Sequence, residues 1–234
     1  MTTLIAPRRT PAPPSARPGP ATLDDYCRIF ALEPAGLRGR AVLEVAAGLS
    51  TFALECARRG VDAAAVDPLY GEAPSALAAR IRRADRPLFT PAGDRDGSST
   101  ASFRFLADYE ANCRHGRYRR GALPALPFLD GAFHLVVCRR LLFSGDPRFD
   151  FEWHVNACAE LMRVSSGEVR VHPLGSAAGR PYPALHRLRR ELRARGIMAR
   201  TVTTRPGFVT PGANLLVLTR GADTRAGAPG PGGM

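Results

Sequence analysis

The stretch Ala41-Val-Leu-Glu-Val-Ala-Ala-Gly-Leu-Ser50 is followed by Val61-Asp-Ala-Ala-Ala-Val-Asp67, and together they decide the fold. Each predicts a buried strand, while the small residues before Ser50 and the segment Ser50–Arg59 predict a tight turn and a helix. Strand, turn, helix and strand in this order form the first half of a nucleotide-binding βαβ unit. Small side chains in the turn let a ligand approach the backbone, and the helix presents free N–H groups there.

Two acids in these stretches are candidate ligand contacts. Asp67 stands at the tip of the second predicted strand, where a carboxylate can accept hydrogen bonds from both hydroxyls of a ribose. The same residue, directly before Pro68, could instead cap a helix or a turn. Glu44 falls inside the first buried strand, and an unpaired buried carboxylate costs several kcal/mol. A ligand ammonium group or a neighbouring N–H must therefore satisfy Glu44.

The net charge of +12 raises the question of a nucleic-acid partner. All 33 basic residues are arginine, and they are scattered along the chain instead of forming one block. Abundant Ala, Gly, Pro and Arg beside missing lysine is typical of a GC-rich coding bias. We therefore expect a solvated surface rather than a phosphate-binding face, because long charged side chains are mostly exposed.

The two ends of the chain differ in composition from its middle. Residues 1–20 are rich in proline and arginine and contain no acid, and residues 221–234 are mostly Gly, Ala and Pro. Both predict disordered tails on either side of a single domain at 21–220. No apolar stretch reaches the length of about 18 residues that predicts a transmembrane helix, so we expect no membrane partner.

The five cysteines are odd in number, widely spaced and free of any Cys-x-x-Cys pattern or Cys/His cluster. This usage predicts neither a disulfide framework nor a zinc site, and we expect no metal. A reducing cytoplasm is the simplest location for such a chain. The sequence carries no signal for an oligomeric state.

Strand and helix patterns alternate along most of the chain. The most strand-like run is Phe133–Cys138, and Glu168–Pro173 is predicted as a strand after a turn at Ser165–Gly167. The alternation predicts an α/β fold, a doubly wound Rossmann-like sheet of about seven mostly parallel strands with helices on both faces. The last two predicted strands, Ala199–Thr204 and Asn214–Thr219, have no helix between them, which predicts an antiparallel last strand.

Four motifs in this order resemble the class I S-adenosylmethionine-dependent methyltransferases over residues 23–220. Val42–Ser50 matches the first motif of that family, and Ala65–Asp67 matches its second. Leu126–Val137 is similar to the family's segment before and along the fourth strand, and Glu160–Gly167 is similar to the helix and turn before the fifth. The chain also resembles uncharacterised bacterial methyltransferase-like proteins that have an Ala-Ala-Gly turn.

The resemblance implies S-adenosyl-L-methionine as the cofactor. The turn Ala46–Ser50, which contains the glycine Gly48, would lie under the methionine part of this molecule. Glu44 would lie near its ammonium group. These residues come at the carboxyl end of a predicted strand, where open α/β sheets bind their ligands.

The resemblance also implies contacts for the rest of the cofactor. Asp67 would hold the ribose hydroxyls, and Ala122 and Leu123 would flank the adenine. The backbone at Cys138 would line the mouth of the site. His172, at the same rim, is a weak candidate for the base that removes a proton from the acceptor, and a histidine that only ends a strand is the alternative.

Three positions depart from the family's pattern. Ala46 and Ser50 stand where glycines are expected, and Ala122 stands where an aspartate often accepts a hydrogen bond from the adenine amino group. Alanine and serine are small, and Ser50 can cap the following helix, so we expect the turn to be adapted to both residues. Restoring glycine at both positions would then change cofactor affinity little and lower stability slightly.

These observations favour methyl transfer from S-adenosylmethionine to a small-molecule acceptor that the residues do not identify. No catalytic signature is required, because the sulfonium already carries an activated methyl group. The altered glycine turn leaves open an inactive relative that kept the fold and lost the chemistry. The positive charge leaves open a nucleic-acid methyltransferase, which the scattered arginines do not favour.

Overall fold

The structure is a computed structural model that describes residues 22–84, 98–176, 179–203 and 214–221. The predicted tails therefore lie outside the described residues, apart from Gly221. The helices are α1 (Leu23–Phe30), α2 (Phe52–Arg58), α3 (Pro74–Ala84), α4 (Ser98–Asn112), α5 (Phe151–Val164) and α6 (Leu185–Ala194). The strands are β1 (Ala41–Val45), β2 (Asp62–Val66), β3 (Tyr118–Arg119), β4 (Phe133–Arg139), β5 (Ser165–His172), β6 (Ile197–Val202) and β7 (Leu215–Arg220).

The strands form one seven-stranded sheet in the order β3-β2-β1-β4-β5-β7-β6. The strands from β3 to β5 pair in parallel, and β7 runs antiparallel to both of its neighbours. The predicted doubly wound sheet with an antiparallel last strand is therefore confirmed. The strand order reverses between β1 and β4, and the carboxyl ends of strands at such a point are where open α/β sheets bind ligands.

Alternate residues of each strand pack on opposite faces of the sheet, as the period of two requires. In β7, Leu215 and Val217 pack in a core with Tyr26 and Phe30 of α1, which we call the α1 face. Leu216 and Leu218 pack with the residues of α5 and α6, which we call the α5 face. Helices thus cover both faces, and among the described helices none is long and apolar enough to cross a membrane.

The turn predicted at Ser165–Gly167 is wrong, because β5 begins directly where α5 ends. Gly167 lies inside β5, and a Cβ atom there would be 2.3 Å from the carbonyl oxygen of His134 on β4. The pairing of β4 with β5 shifts its register at this point. The glycine therefore serves a close approach between two strands rather than a chain reversal.

Candidate functional site

The turn after β1 is joined to the segment after β2 through the backbone of Gly48. The Gly48 N–H donates to Asp67 Oδ2 at 2.9 Å, and the Tyr70 hydroxyl donates to the Gly48 carbonyl oxygen at 2.7 Å. Gly48 has a φ of +55°, a left-handed conformation that glycine adopts without steric strain. The predicted turn and the predicted ribose acid therefore form one hydrogen-bonded unit at the carboxyl ends of β1 and β2.

Asp67 is buried at the tip of β2, and each of its carboxylate oxygens accepts one backbone N–H. Its Oδ1 accepts from the Leu69 N–H at 3.0 Å, which caps the 3₁₀ turn Pro68–Gly71. The capping role that the sequence offered as the alternative for Asp67 is therefore present. Because each carboxylate oxygen keeps a further lone pair, the cap does not exhaust its capacity for hydroxyl donors. The ribose contact stays a prediction.

The segment after β3 is held against the same edge of the sheet by Gly121. The Gly121 N–H lies 3.4 Å from the carbonyl oxygen of Asp67, and a Cβ at Gly121 would be 2.7 Å from the ring of Pro127. Only glycine allows this approach. As a result Ala122, which is exposed, and Leu123, which is buried, lie on the chain directly beside the end of β2. The structure thus brings the predicted adenine and ribose contacts to one edge.

An ion-pair network on α5 fixes the loop that follows these residues. Arg163 donates to the carbonyl oxygens of Leu126 and Phe128 at 3.2 and 2.9 Å and to Asp130 at 2.6 Å. Glu160 accepts from the Leu126 N–H at 2.6 Å and pairs with Arg163 at 2.7 Å. This network explains why the Glu-Leu-Met-Arg and Leu-Pro-Phe-Leu-Asp motifs occur together, which the sequence alone did not reveal.

We expect Arg163→Ala to lower the free energy of unfolding by about 1–3 kcal/mol, because backbone carbonyls and Glu160 lose a charged donor. The matched control is Arg148→Ala. Arg148 pairs with Asp146 at the same distance of 2.6 Å but on an exposed surface, so its loss should change stability little. Urea unfolding of the three proteins measures both effects. Equal stability of the two variants would contradict the role of the network.

Glu44 is fully buried on β1, and the Tyr26 hydroxyl of α1 donates to its Oε1. Its Oε2 has no hydrogen-bond partner among the described residues. Burial raises the pKa of Glu44 to about 7, although Tyr26, Ser50 and Arg139 each act to lower it. Since Glu44 has no exposed surface, a ligand ammonium group would contact it only after the residues that cover it had moved. The ammonium contact stays a prediction.

Charged side chains from the body of the protein hold both ends of α1. At its start, the Leu23 N–H donates to Glu55 Oε2 at 3.1 Å, and Glu55 is buried on α2. At its end, Arg170 of β5 donates to the carbonyl oxygens of Phe30 and Ala31 at 2.5 and 2.9 Å. Sequence reasoning missed both anchors. An acid among the apolar positions of α2 was the available signal for Glu55.

The carboxyl ends of β4 and β5 lie at the same edge of the sheet as those of β1 and β2. Arg139 is paired in register with His172, whose ring lies 6.1 Å from the ring of Phe30. The residues directly before them, Cys138 and Val171, pack on the α5 face. Because consecutive strand residues point to opposite faces, Arg139 and His172 lie on the α1 face, as Glu44 does. Cys138 is fully buried in the α5 face, and burial raises the pKa of its thiol. Only the backbone of Cys138 is therefore placed to line a site.

The two altered glycine positions differ from each other in conformation. Ala46 has a φ of +57°, a region that costs a residue with a Cβ about 1–2 kcal/mol. The Ser50 hydroxyl oxygen accepts from the Phe52 N–H at 3.1 Å, at the start of α2. The predicted cap by Ser50 is therefore present, one residue before the N-cap position that Thr51 occupies. Ser50 therefore stabilises the start of α2 through a hydrogen bond, while Ala46 has a strained backbone conformation.

Restoring glycine should consequently have opposite effects on stability at the two positions. Ala46→Gly should raise the free energy of unfolding by about 0.5–1 kcal/mol, whereas the sequence predicts a slight loss for the Ala46→Gly/Ser50→Gly double variant. Ser50→Gly should lower it by about 0.5–1.5 kcal/mol through the lost hydrogen bond. Urea unfolding of both single variants checks the signs. A stabilising Ser50→Gly would refute the cap.

The chain was compared with known proteins, and no protein-family model matches it. An uncharacterised protein of Methanocaldococcus jannaschii is 23% identical over 189 residues, which cover 74% of this chain and 84% of that protein. Similar solved structures include S-adenosylmethionine-dependent methyltransferases. Magnesium protoporphyrin IX methyltransferase from Synechocystis PCC 6803, with bound S-adenosylmethionine, is 14% identical with a TM-score of 0.49, over 85% of this chain and 77% of that one.

A second similar structure is 1,6-didemethyltoxoflavin-N1-methyltransferase from Burkholderia thailandensis, with bound 1,6-didemethyltoxoflavin and S-adenosylhomocysteine. It is 16% identical with a TM-score of 0.47, over 83% of this chain and 77% of that one. Similarity at this level concerns the architecture alone.

Proposed function

We propose that the protein transfers a methyl group from S-adenosylmethionine to a small-molecule acceptor. The observation that carries this proposal is the hydrogen-bonded unit of the Gly48 turn, Asp67 and the segment that starts at Gly121. This unit places a turn of small residues, a carboxylate and a short apolar segment side by side. In the proposed complex they would face the methionine, ribose and adenine parts of the cofactor, in that order along the carboxyl ends of β1, β2 and β3.

Each part of the proposed cofactor has a chemically suitable neighbour. The carboxylate of Asp67 would accept hydrogen bonds from the ribose hydroxyls, and the apolar side chain of Leu123 would flank the adenine together with exposed Ala122. The turn Ala46–Ser50 would support the methionine part. The free Oε2 of Glu44 fits an ammonium group, provided that its cover moves.

The chemistry asks little of the protein beyond alignment. The sulfonium supplies an activated methyl group, so the chain must hold the acceptor in line with it and exclude water. The α1 helix is held at both ends and covers Glu44 at this edge of the sheet. In the proposed enzyme it would help to exclude water. His172 is the candidate base for an acceptor that must lose a proton, because it ends β5 beside Arg139.

A second candidate function is an inactive relative that retains the fold. Two observations favour it: the strained φ of Ala46 in the cofactor turn and the complete burial of Glu44 under Tyr26. A purely structural relative would bind neither the cofactor nor its product, whereas an inactive cofactor-binding relative would bind them without transferring a methyl group.

Calorimetry with S-adenosylmethionine and S-adenosylhomocysteine tests the proposal. We expect both to bind the wild-type protein, and we expect the Ala46→Gly/Ser50→Gly double variant to bind with similar affinity. A tenfold or greater gain in the double variant, about 1.4 kcal/mol, would mark both residues as lesions and favour the inactive relative. Absence of binding to the wild type would overturn the proposal.

A further inference from the structure

Two adjacent arginines lie at the carboxyl end of β4. Arg139 is the last residue of β4 and is paired with His172 at the end of β5. Its guanidinium carbon lies 6.0 Å from the ring centroid of Tyr26. Arg140 follows with an exposed side chain and a φ of +57°. Non-glycine residues rarely hold this conformation, and strained backbone of this kind clusters at functional sites.

Neither arginine forms an ion pair with a described acid. Among the described residues no carboxylate oxygen lies within 4.0 Å of either guanidinium group, in contrast to Arg163, Arg170 and Arg117. The Nε of Arg139 is also buried with no hydrogen-bond partner. A buried donor of a charged group without an acceptor is unfavourable, because it has lost its water. Because this Nε has almost no exposed surface, a ligand acceptor would remove that penalty only after the residues that cover the Nε had moved.

The local charge balance favours an anion there. Glu44 faces Arg139 closely enough to interact with it electrostatically, yet burial raises the pKa of Glu44 to about 7, so its charge is only partly present near neutral pH. Partial desolvation of its guanidinium group and then the charge of Arg139 lower the pKa of Arg140. Among the described residues, Glu44 is thus an only partly ionised acid beside Arg139, while the charge of Arg139 disfavours the charged form of Arg140.

We propose that the methyl acceptor is an anion, a carboxylate or a phosphate ester, which Arg139 and Arg140 bind at the end of β4. This inference rests on the proposed function and names the substrate class of that site. The planar fork of a guanidinium group matches the two oxygens of a carboxylate or phosphate, which gives orientation as well as attraction.

The anion that binds these arginines could also be the cofactor's own carboxylate, which belongs to its methionine part. The test therefore compares two cofactor fragments and two acceptor probes. S-adenosylhomocysteine has the carboxylate, and 5′-methylthioadenosine lacks it. Benzoate and phenyl phosphate are anionic acceptor probes, and benzamide is their neutral counterpart.

The experiment measures binding of these probes by calorimetry to the wild-type protein, with and without saturating S-adenosylhomocysteine. We expect benzoate or phenyl phosphate to bind more tightly than benzamide. Arg139→Gln and Arg140→Gln should each weaken anion binding tenfold or more. The matched control is Arg193→Gln, which removes one charge from an exposed position on α6 and should leave binding unchanged. Since Arg140 is exposed, its variant tests the site even where Arg139→Gln fails to fold.

Two results would overturn the inference. One is equal binding of anionic and neutral probes, or anion binding that both arginine variants leave intact. The other is an Arg139→Gln protein that loses S-adenosylhomocysteine but keeps 5′-methylthioadenosine, because Arg139 would then hold the cofactor's own carboxylate. Failure of the wild type to bind either cofactor fragment would refute the proposed function alone. The probe titrations without cofactor would then still decide whether the two arginines bind an anion.

Discussion

Asp67→Ala is expected to lower the free energy of unfolding by about 2–3 kcal/mol and to weaken S-adenosylhomocysteine binding by about 1–3 kcal/mol. The first effect follows because the variant leaves the N–H groups of Gly48 and Leu69 without their acceptors. The second follows because the ribose would lose its carboxylate partner. Urea unfolding and calorimetry measure the two quantities on the same samples.

The two effects must be separated, since a loosened Gly48 turn would also weaken binding. Adenosine and 2′,3′-dideoxyadenosine provide the comparison, because they differ only in the ribose hydroxyls. The wild type should prefer adenosine, and Asp67→Ala should bind the two nucleosides equally. Asp67→Asn is the matched variant, as it keeps one acceptor oxygen for the turn. A folded Asp67→Ala protein that still prefers adenosine would remove the ribose assignment.

The fold was predictable because the sequence patterns of its strands and helices are local and recur along the chain. Alternating strand and helix patterns predicted the doubly wound sheet, and the lack of a helix pattern between the last two predicted strands predicted the antiparallel strand. The acid after β2 could be singled out for a similar reason, since its position relative to the glycine turn is fixed by the βαβ unit. What the sequence could not decide was whether Asp67 caps a turn or binds a ligand. The structure shows that it caps the turn while retaining acceptor capacity.

The predictions that failed or were missing depend on contacts between distant segments. Gly167 was taken as a turn residue because glycine commonly marks turns, whereas here it allows β5 to approach His134 on β4. Arg163 has no local feature that distinguishes it from the other arginines, and its role depends on a loop 33 residues or more earlier in the chain. The cover over Glu44 likewise depends on Tyr26, 18 residues before it. The periodicity of apolar residues in a sequence does not indicate which distant side chains come into contact.

Glu44→Gln is expected to remove a pH dependence of stability that the wild type shows between about pH 5 and about pH 8. Burial raises the pKa of Glu44 from 4.5 to about 7, so the folded protein binds a proton there that the unfolded chain has released. The resulting stability is fully present below the unfolded pKa and is lost as the pH rises through 7. The wild type should lose roughly 2–3 kcal/mol relative to Glu44→Gln over this range.

Urea unfolding at several pH values checks this difference, and parallel curves for the two proteins would contradict it. Tyr26→Phe is the companion variant. The Tyr26 hydroxyl donates to Glu44 and thereby lowers its pKa, so its removal should move the transition to higher pH. A transition that moves to lower pH would show that this hydrogen bond does not favour the ionised carboxylate.

The same titration distinguishes two roles of Glu44 in the proposed site. An ionised carboxylate with one unpartnered oxygen is costly when buried, and a ligand ammonium group would supply the missing partner. We therefore expect the affinity for S-adenosylhomocysteine to rise as the pH passes about 7 and to stay flat in Glu44→Gln. 5′-Methylthioadenosine, which lacks the ammonium group, should show no such rise. A flat profile with both ligands would restrict Glu44 to holding Tyr26 and α1 in place.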